Sequence, residues 1–169
     1  MMFFYSSSTI VSLSSYTDFD WAGDSSDRRS TACYVFQLGS GLISWSSKKV
    51  KTLSLSSCEA EYRATKEAFW LRHVLTELGL APKLSTVLKC DNQGAIQLAY
   101  NPVYHSKTKH LDLDAHYIRE LVADGILSLQ YCPTEQQAAD IFTKSFTEAK
   151  FVHLCSLLGM REVVIKGEQ

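Results

Sequence analysis

The sequence lacks the features that mark a membrane, secreted or strongly basic protein. No apolar run approaches the ~20 residues that a membrane-spanning helix needs, so no membrane association is predicted. The first five residues have no basic side chain ahead of their apolar part, which argues against a signal peptide. The formal net charge of −1 excludes a strongly basic nucleic-acid-binding protein. A local basic patch remains open, because the 17 lysines and arginines are unevenly distributed.

The cysteines form no recognisable disulfide or zinc pattern. There are five of them, far apart and with no C-x-x-C pair: Cys33, Cys58, Cys90, Cys132 and Cys155. We expect buried free thiols in a reducing compartment, and therefore an intracellular, cytoplasmic protein that is not secreted.

The 169 residues, of which 46% are hydrophobic and 21% charged, fit one globular domain. No internal repeat, low-complexity segment or second domain is evident. We expect a disordered leader over residues 1–8, the domain over 9–145, and a C-terminal helix and tail over 146–169.

The order of patterns predicts an α/β fold. Alternating and β-branched segments predict strands ending at Asp18, over 31–38, over 42–47, up to Asp91, and over 126–131. Helices are expected over 58–78, from about 92, over 111–123, after Pro133 through a T-x-x-Q box, and over 148–158. This order permits a five-stranded mixed sheet flanked by helices. In it, the first three strands are antiparallel, and the fourth and fifth are parallel to the first.

Four acidic residues occupy places typical of a site in such a sheet: Asp18, Glu61, Asp91 and Asp140. The strands ending at Asp18 and Asp91 would lie side by side with their carboxyl ends together. Glu61 lies at the edge of the apolar stripe of its helix, where an unpaired carboxylate is costly. Four clustered carboxylates repel one another unless cations neutralise them, and hard oxygen ligands favour Mg²⁺ or Mn²⁺.

A simpler interpretation is open for each acid. Asp91 can cap the helix that follows it, and the four acids can be unrelated strand-end and helix-surface residues. If they do cluster, two divalent ions about 4 Å apart can support hydrolysis of a phosphodiester.

Several ordered motifs closely resemble the ribonuclease H domain of copia-type LTR retrotransposon polyproteins. They are residues 16–24 (YTDFDWAGD), 27–31 (DRRST), 42–49 (LISWSSKK), 59–62 (EAEY), 90–93 (CDNQ), 108–110 (TKH) and 133–144 (PTEQQAADIFTK). The resemblance covers roughly residues 9 to 160.

The resemblance implies a ribonuclease H-like fold and an endonuclease that cuts the RNA strand of RNA–DNA hybrids during reverse transcription. It places the catalytic and metal-binding quartet on Asp18, Glu61, Asp91 and Asp140, with two Mg²⁺ ions for which Mn²⁺ can substitute. It also implies the reverse transcriptase portion of the same polyprotein as partner, and a virus-like particle as the location if the element is active.

The sequence departs from the family pattern at several positions. Many ribonucleases H carry a histidine shortly before the last aspartate, whereas residues 131–135 (YCPTE) contain none. The proton-transfer or product-release role of that histidine is unassigned here, with His105, His110 and His116 as candidates by proximity. Ser15 and Cys33 stand where glycine is expected.

Substrate contacts are predicted from neighbouring polar residues. Lys48, Lys49 and Lys51, with Lys107 and Lys109, could line the phosphate backbone, although solvated loop lysines are the alternative. His105 is also predicted to bind nucleic acid. Asn92 and Gln93 could reach the 2′-hydroxyls that distinguish RNA from DNA. Trp21 and Trp45 could stack on bases, but we expect them in the core.

Three functional classes remain open from the sequence. The first is an active hybrid nuclease, and the second is a catalytically silent module that only binds nucleic acid or stabilises a polyprotein. An integrase-type nuclease of the same fold is third, but it leaves the Glu61 helix unexplained.

Overall fold

The computed structural model describes residues 2–3, 12–20, 30–49, 58–101 and 109–161. Seven strands form within these ranges: β1 (Met2–Phe3), β2 (Leu13–Asp20), β3 (Thr31–Leu38), β4 (Gly41–Lys49), β5 (Thr86–Cys90), β6 (Leu127–Tyr131) and β7 (Met160–Arg161). The α-helices are α1 (Cys58–Glu77), α2 (Gln93–Tyr100), α3 (Lys109–Ala123) and α4 (Glu148–Leu157). None of the helices in these ranges combines the length and apolar character that crossing a membrane requires.

Strands β2 to β6 form one sheet in the order β4-β3-β2-β5-β6. Strand β3 is antiparallel to both β2 and β4, whereas β5 is parallel to β2 and β6 is parallel to β5. The predicted five-stranded mixed sheet is therefore confirmed. Because Thr17 pairs with Cys90, and Cys90 pairs with Tyr131, the carboxyl ends of β2, β5 and β6 lie at one edge.

Each face of the sheet carries its own apolar core. The first core joins the sheet to α1, α2 and α3, and its members include Leu13, Phe36, Ala64, Ala68, Leu88, Ala99 and Leu121. The second contains Tyr16, Cys33, Val35, Leu42, Cys132, Ala138, Ala139 and Leu158. Residues of β2 alternate between the two, since Leu13 faces the first core and Tyr16 the second, as expected for a strand covered on both sides.

The segment after Pro133 differs from its prediction. We expected an α-helix started by a T-x-x-Q box, but two short 3₁₀ helices form instead, Thr134–Gln136 and Ala138–Phe142. The box is not made, because the Gln137 side chain bonds to the backbone of Thr17 and Ala139 instead of reaching back to the helix start. Asp140 therefore lies in a 3₁₀ helix, a tighter turn than the expected α-helix.

The ends of the described chain pack close to the sheet. Met2 and Phe3, which fall in the predicted leader, pair antiparallel with Arg161 and Met160. Leu158, at the end of α4, is buried in the second core. The predicted boundaries at residues 8 and 145 stay predictions, but α4 packs on the same core as the strands.

Candidate active site

Asp18 and Asp91 lie on neighbouring strands at the carboxyl edge of the sheet. Asp18 is near the end of β2 and Asp91 directly follows β5, one residue beyond the paired Thr17 and Cys90. Asp18 is only 4% exposed, and its Oδ2 accepts a hydrogen bond of 2.7 Å from Thr143 Oγ1. Burial raises the pKa of Asp91, and the Asp18 carboxylate raises it further. The structure therefore brings these two carboxylates into electrostatic contact.

Helix α1 brings Glu61 to the same edge. Glu61 is 3% exposed in the first turn of α1, which packs across β2. Burial raises its pKa to about 8, and the charges of Asp91 and Asp18 add to the increase. Glu61 Oε2 is buried and has no hydrogen-bond partner among the residues that the structure describes. A buried carboxylate oxygen without a donor is costly, so it indicates a missing partner.

Asp140 completes the group from the other face of the sheet. It is fully buried, and its Oδ1 accepts a hydrogen bond of 2.9 Å from Lys144 Nζ, whereas Oδ2 has no partner. Burial raises the pKa of Asp140 to about 6, the Lys144 hydrogen bond opposes this, and the Asp18 carboxylate adds to it. All four predicted acids thus lie at one edge of the sheet, and their catalytic and metal-binding roles remain predictions.

Two residues that the sequence did not single out hold the Asp140 segment on the sheet. The Gln137 side chain is fully buried, donates to Thr17 O at 2.9 Å and accepts from Ala139 N at 3.4 Å. Cys33 Sγ donates to Ala139 O at 3.2 Å. Cys33 therefore uses the expected glycine position for a contact beside Asp140. Ser15, at the other departure, is fully buried and its hydroxyl has no partner.

Thr143 and Lys144 were also missed. Lys144 Nζ lies 3.7 Å from Asp18 Oδ2 in addition to its contact with Asp140. The spacing of Asp140 and Lys144, four residues apart with opposite charges, was the available signal for an ion pair.

The donor set suits a hard divalent cation, but the residues are not yet arranged around one. Within the described residues, no three His, Cys, Asp or Glu side chains are gathered closely enough to hold a metal ion. Two buried oxygens, Glu61 Oε2 and Asp140 Oδ2, nevertheless lack partners among the described residues. Burial without a partner is unfavourable in free energy, and a bound cation would remove that penalty. The residues therefore fit a divalent ion once the carboxylates adjust.

Asn92, and not Asp91, caps α2. Asn92 Oδ1 accepts a hydrogen bond of 3.2 Å from Ala95 N. The alternative in which Asp91 is the cap is therefore wrong, and the Asp91 carboxylate is available to the acidic group. Gln93, the first residue of α2, has an exposed side chain. Its predicted role at the 2′-hydroxyl stays a prediction.

The predicted basic contacts are only partly described. Lys48 and Lys49 are exposed at the end of β4 and pair with Ala32 and Thr31. They lie at the same edge as Asp18, two strands away, which corresponds to about 10 Å. Lys51, His105 and Lys107 lie outside the described residues, as do the side chains of Lys109 and His110. His116 is exposed on α3 beside Glu120 Oε1 at 3.3 Å.

The aromatic prediction was wrong for Trp45, which was expected in the core. Its side chain is 55% exposed and lines an apolar cleft of about 320 Å³ between β4 and α4. Phe142 and Phe151 line the same cleft. Trp45 pairs with the buried Val35, but β4 is an edge strand and its second half is largely exposed. Trp21 lies outside the described residues.

The cysteine prediction is confirmed for four of the five. Cys33, Cys90, Cys132 and Cys155 are buried free thiols, and the Cys58 side chain lies outside the described residues. Burial raises the pKa of Cys90 to about 12, and the charges of Glu61 and Asp91 add to the increase. These thiols are protonated and therefore unreactive in the folded protein.

The sheet order and the placement of the helices define a ribonuclease H-like fold. The structure of LC11-RNase H1, isolated from compost by a metagenomic approach, matches with a TM-score of 0.58 at 18% identity, over 79% of this chain and 93% of that chain. The N-terminal RNase H domain of rv2228c from Mycobacterium tuberculosis matches with a TM-score of 0.52 at 12% identity, over 86% of this chain and 97% of that chain. At these identities the likeness establishes the fold alone.

Proteins related by sequence indicate a more specific class of protein than the fold does. The Retrovirus-related Pol polyprotein from transposon RE1 of Arabidopsis thaliana is 43% identical over 157 residues, 90% of this chain. That from transposon TNT 1-94 of Nicotiana tabacum is 44% identical over 152 residues, 88% of this chain. The chain spans only 11% of the length of each. No protein-family model matches the sequence. The chain has a ribonuclease H-like fold, and its homologues are Pol polyproteins from copia-type retrotransposons, which confirms the resemblance.

Proposed function

We propose that this domain hydrolyses the RNA strand of RNA–DNA hybrids with the help of divalent metal ions. The observation that carries the proposal is the meeting of Asp18, Glu61, Asp91 and Asp140 at one edge of a ribonuclease H-like sheet, with two buried carboxylate oxygens left without partners. Such a group is unfavourable unless cations or protons neutralise it. The relatives are Pol polyproteins, which is the setting in which this activity is expected.

The four carboxylates would hold Mg²⁺, or Mn²⁺ in its place, because hard cations prefer oxygen ligands. A pair of such ions, when bound, activates a water and stabilises the leaving oxygen of a phosphodiester. The protein fixes the positions of the carboxylates, through the paired strands for Asp18 and Asp91 and through Gln137 and Cys33 for the Asp140 segment.

Selectivity for RNA needs groups that sense the 2′-hydroxyl, since metal-assisted hydrolysis alone does not distinguish the two nucleic acids. LC11-RNase H1 has been solved in complex with an RNA/DNA hybrid, with a TM-score of 0.54 to this chain at 18% identity, over 76% of this chain and 91% of that chain. Of the two residues predicted to contact the 2′-hydroxyl, Gln93 is the better placed, because the side-chain oxygen of Asn92 already caps α2. Lys48 and Lys49 would add salt-dependent affinity for phosphates. The reverse transcriptase portion of a Pol polyprotein is the expected partner, in the cytoplasm or a virus-like particle.

The test is cleavage of a labelled hybrid by wild-type protein and by D18N, each with and without Mg²⁺. We expect the wild type to cut the RNA strand only with Mg²⁺ or Mn²⁺ and with little sequence preference. Single-stranded and duplex DNA should stay intact. D18N and D140N should lose cutting by a factor of roughly a hundred or more, a loss of about 3 kcal/mol of transition-state stabilisation, and keep hybrid binding at low salt. Equal cutting by wild type and D18N would indicate a contaminating nuclease and overturn the proposal.

A second function is favoured by one observation. The ammonium of Lys144 is bonded to Asp140, and no three potential metal ligands are gathered among the described residues. A silent module that only binds nucleic acid would tolerate this arrangement permanently. Hybrid binding without cutting by the wild type, with either ion present, would support the silent module over the nuclease.

A further inference from the structure

A lysine lies inside the acidic group. Lys144 Nζ lies 2.9 Å from Asp140 Oδ1 and 3.7 Å from Asp18 Oδ2. Its side chain is 33% exposed, whereas the two carboxyl side chains are 0% and 4% exposed. The ammonium therefore reaches inward from solvent to two buried carboxylates, one on strand β2 and one in the second 3₁₀ helix.

The turn after the second 3₁₀ helix fixes Lys144 in this position. Asp140 O accepts hydrogen bonds from Thr143 N at 3.0 Å and Lys144 N at 2.9 Å. Thr143 Oγ1 donates to Asp18 Oδ2 at 2.7 Å, beside the lysine. The turn is thus bonded to the backbone carbonyl of Asp140 and to the carboxylate of Asp18. These bonds hold the backbone of Lys144 beside the two carboxylates that its ammonium neutralises.

The ammonium of Lys144 and a divalent cation compete for the negative charge of the same carboxylates. Lys144 takes Asp140 Oδ1, and like charges a few ångströms apart repel strongly in a partly buried site. The lysine stem is flexible and already one-third exposed, so its ammonium can withdraw to solvent without moving the backbone. The backbone that carries the carboxylates is held by Gln137, Cys33 and the strand pairing, so the carboxylates adjust through their side chains alone.

We propose that Lys144 is a tethered counter-ion, which stabilises the acidic group in the metal-free protein and withdraws from Asp140 when divalent ions bind. The proposal rests on the proposed metal-dependent function and concerns the same site. Lys144 is a positioning residue in this scheme, and its ammonium lowers the affinity of the four carboxylates for Mg²⁺.

The test compares K144M, which keeps length but removes charge, with K144R, which keeps the charge. K83M is the matched control, because Lys83 is exposed before β5, at the opposite end of that strand from Asp91. Thermal unfolding is measured in EDTA and across Mg²⁺ and Mn²⁺ concentrations, and Mn²⁺ binding is measured by calorimetry. No readout depends on cleavage.

We expect K144M to unfold at a lower temperature than wild type in EDTA, because removing one partner leaves buried charges uncompensated. We expect K144M to bind Mn²⁺ about tenfold more tightly, equal to about 1.4 kcal/mol, while K144R and K83M resemble wild type. If K144M is unfolded in EDTA, we expect Mn²⁺ to fold it, and failure to fold with Mn²⁺ would overturn the proposal.

The outcomes separate this proposal from the proposed function. Metal stabilisation of the wild type with equal or weaker Mn²⁺ binding by K144M would overturn the role of Lys144 and leave the metal site intact. No stabilisation of wild type or K144M by either ion would overturn the metal site, and the counter-ion scheme with it.

Discussion

Asp91 and Asn92 are adjacent residues with opposite effects on the metal-free protein. The Asp91 carboxylate lies near Asp18 and Glu61, and burial and the Asp18 charge raise its pKa. The Asn92 side chain instead satisfies a backbone N–H at the start of α2. We therefore expect D91N to raise the melting temperature in EDTA by a few degrees, because it removes repulsion. N92A should cost about 1 kcal/mol through loss of the cap.

The variants D91N and N92A also distinguish an effect on metal binding from an effect on stability. Mg²⁺ should stabilise N92A as much as wild type, since stabilisation depends on binding to the folded state. D91N should lose that stabilisation. The measurement is the melting temperature of each variant with EDTA and with Mg²⁺. A lower melting temperature for D91N that Mg²⁺ still raises would mean that Asp91 is structural.

The buried side chain of Gln137 connects β2 to the second 3₁₀ helix. Gln137 bonds to Thr17 O and Ala139 N, each the backbone neighbour of an acidic residue of the site. Q137L should cost about 1–3 kcal/mol, because it leaves a buried carbonyl and amide unpaired. We also expect weaker Mn²⁺ binding, because Asp140 is then less firmly held.

The adjacent Gln136 provides the control for this prediction. Its side chain is exposed, so Q136L should change stability by no more than about 0.5 kcal/mol and leave Mn²⁺ binding unchanged. Chemical unfolding and Mn²⁺ calorimetry of both variants test the difference. Similar values for Q136L and Q137L would contradict a positioning role for Gln137.

Local patterns were sufficient to predict most elements. The strand predicted over residues 31–38 is observed as Thr31–Leu38, because β-branched and aromatic residues fill both of its faces. Helix α1 begins at the predicted residue, Cys58, and Gly79 follows it with a φ of 75°. The segment after Pro133 was predicted wrongly, because the T-x-x-Q spacing does not reveal that Gln137 binds a distant strand.

The acidic residues of the site were predictable, whereas its supporting contacts were not. Asp18 and Asp91 lie at the ends of predicted strands, so the predicted parallel pairing of those strands brings them together. Thr143 binds Asp18 across 125 residues of sequence, Gln137 binds Thr17 across 120, and Cys33 binds Ala139 across 106. Such contacts depend on tertiary packing and leave no local pattern in the chain.

The whole molecule should become less stable as pH rises in the absence of metal. Burial raises the pKa of Glu61 to about 8 from 4.5, so the folded state holds a proton that the unfolded state releases. That contribution to stability is complete below the unfolded pKa and disappears as pH rises through about 8. Asp140, with a pKa raised to about 6, acts in the same direction.

We expect the free energy of unfolding in EDTA to fall by on the order of 2–4 kcal/mol between the unfolded pKa of Glu61 and its folded value. E61Q should remove most of this dependence, because glutamine does not titrate. Urea unfolding of both proteins across that pH range provides the measurement. Parallel pH profiles for wild type and E61Q would show that Glu61 does not carry the effect.

The thiols beside the acidic group have a further consequence for measuring motion at this edge. Cys33, Cys90 and Cys132 are buried and free, and burial is the main reason that their pKa values are raised. An alkylating reagent reacts with the thiolate, so each sulfur is modified only while its surroundings are open. Alkylation rates followed by mass spectrometry therefore report the opening equilibrium of the sheet edge without an added label. If Mg²⁺ slows the alkylation of these three cysteines more than it slows the alkylation of Cys155, the ion acts at this edge of the sheet.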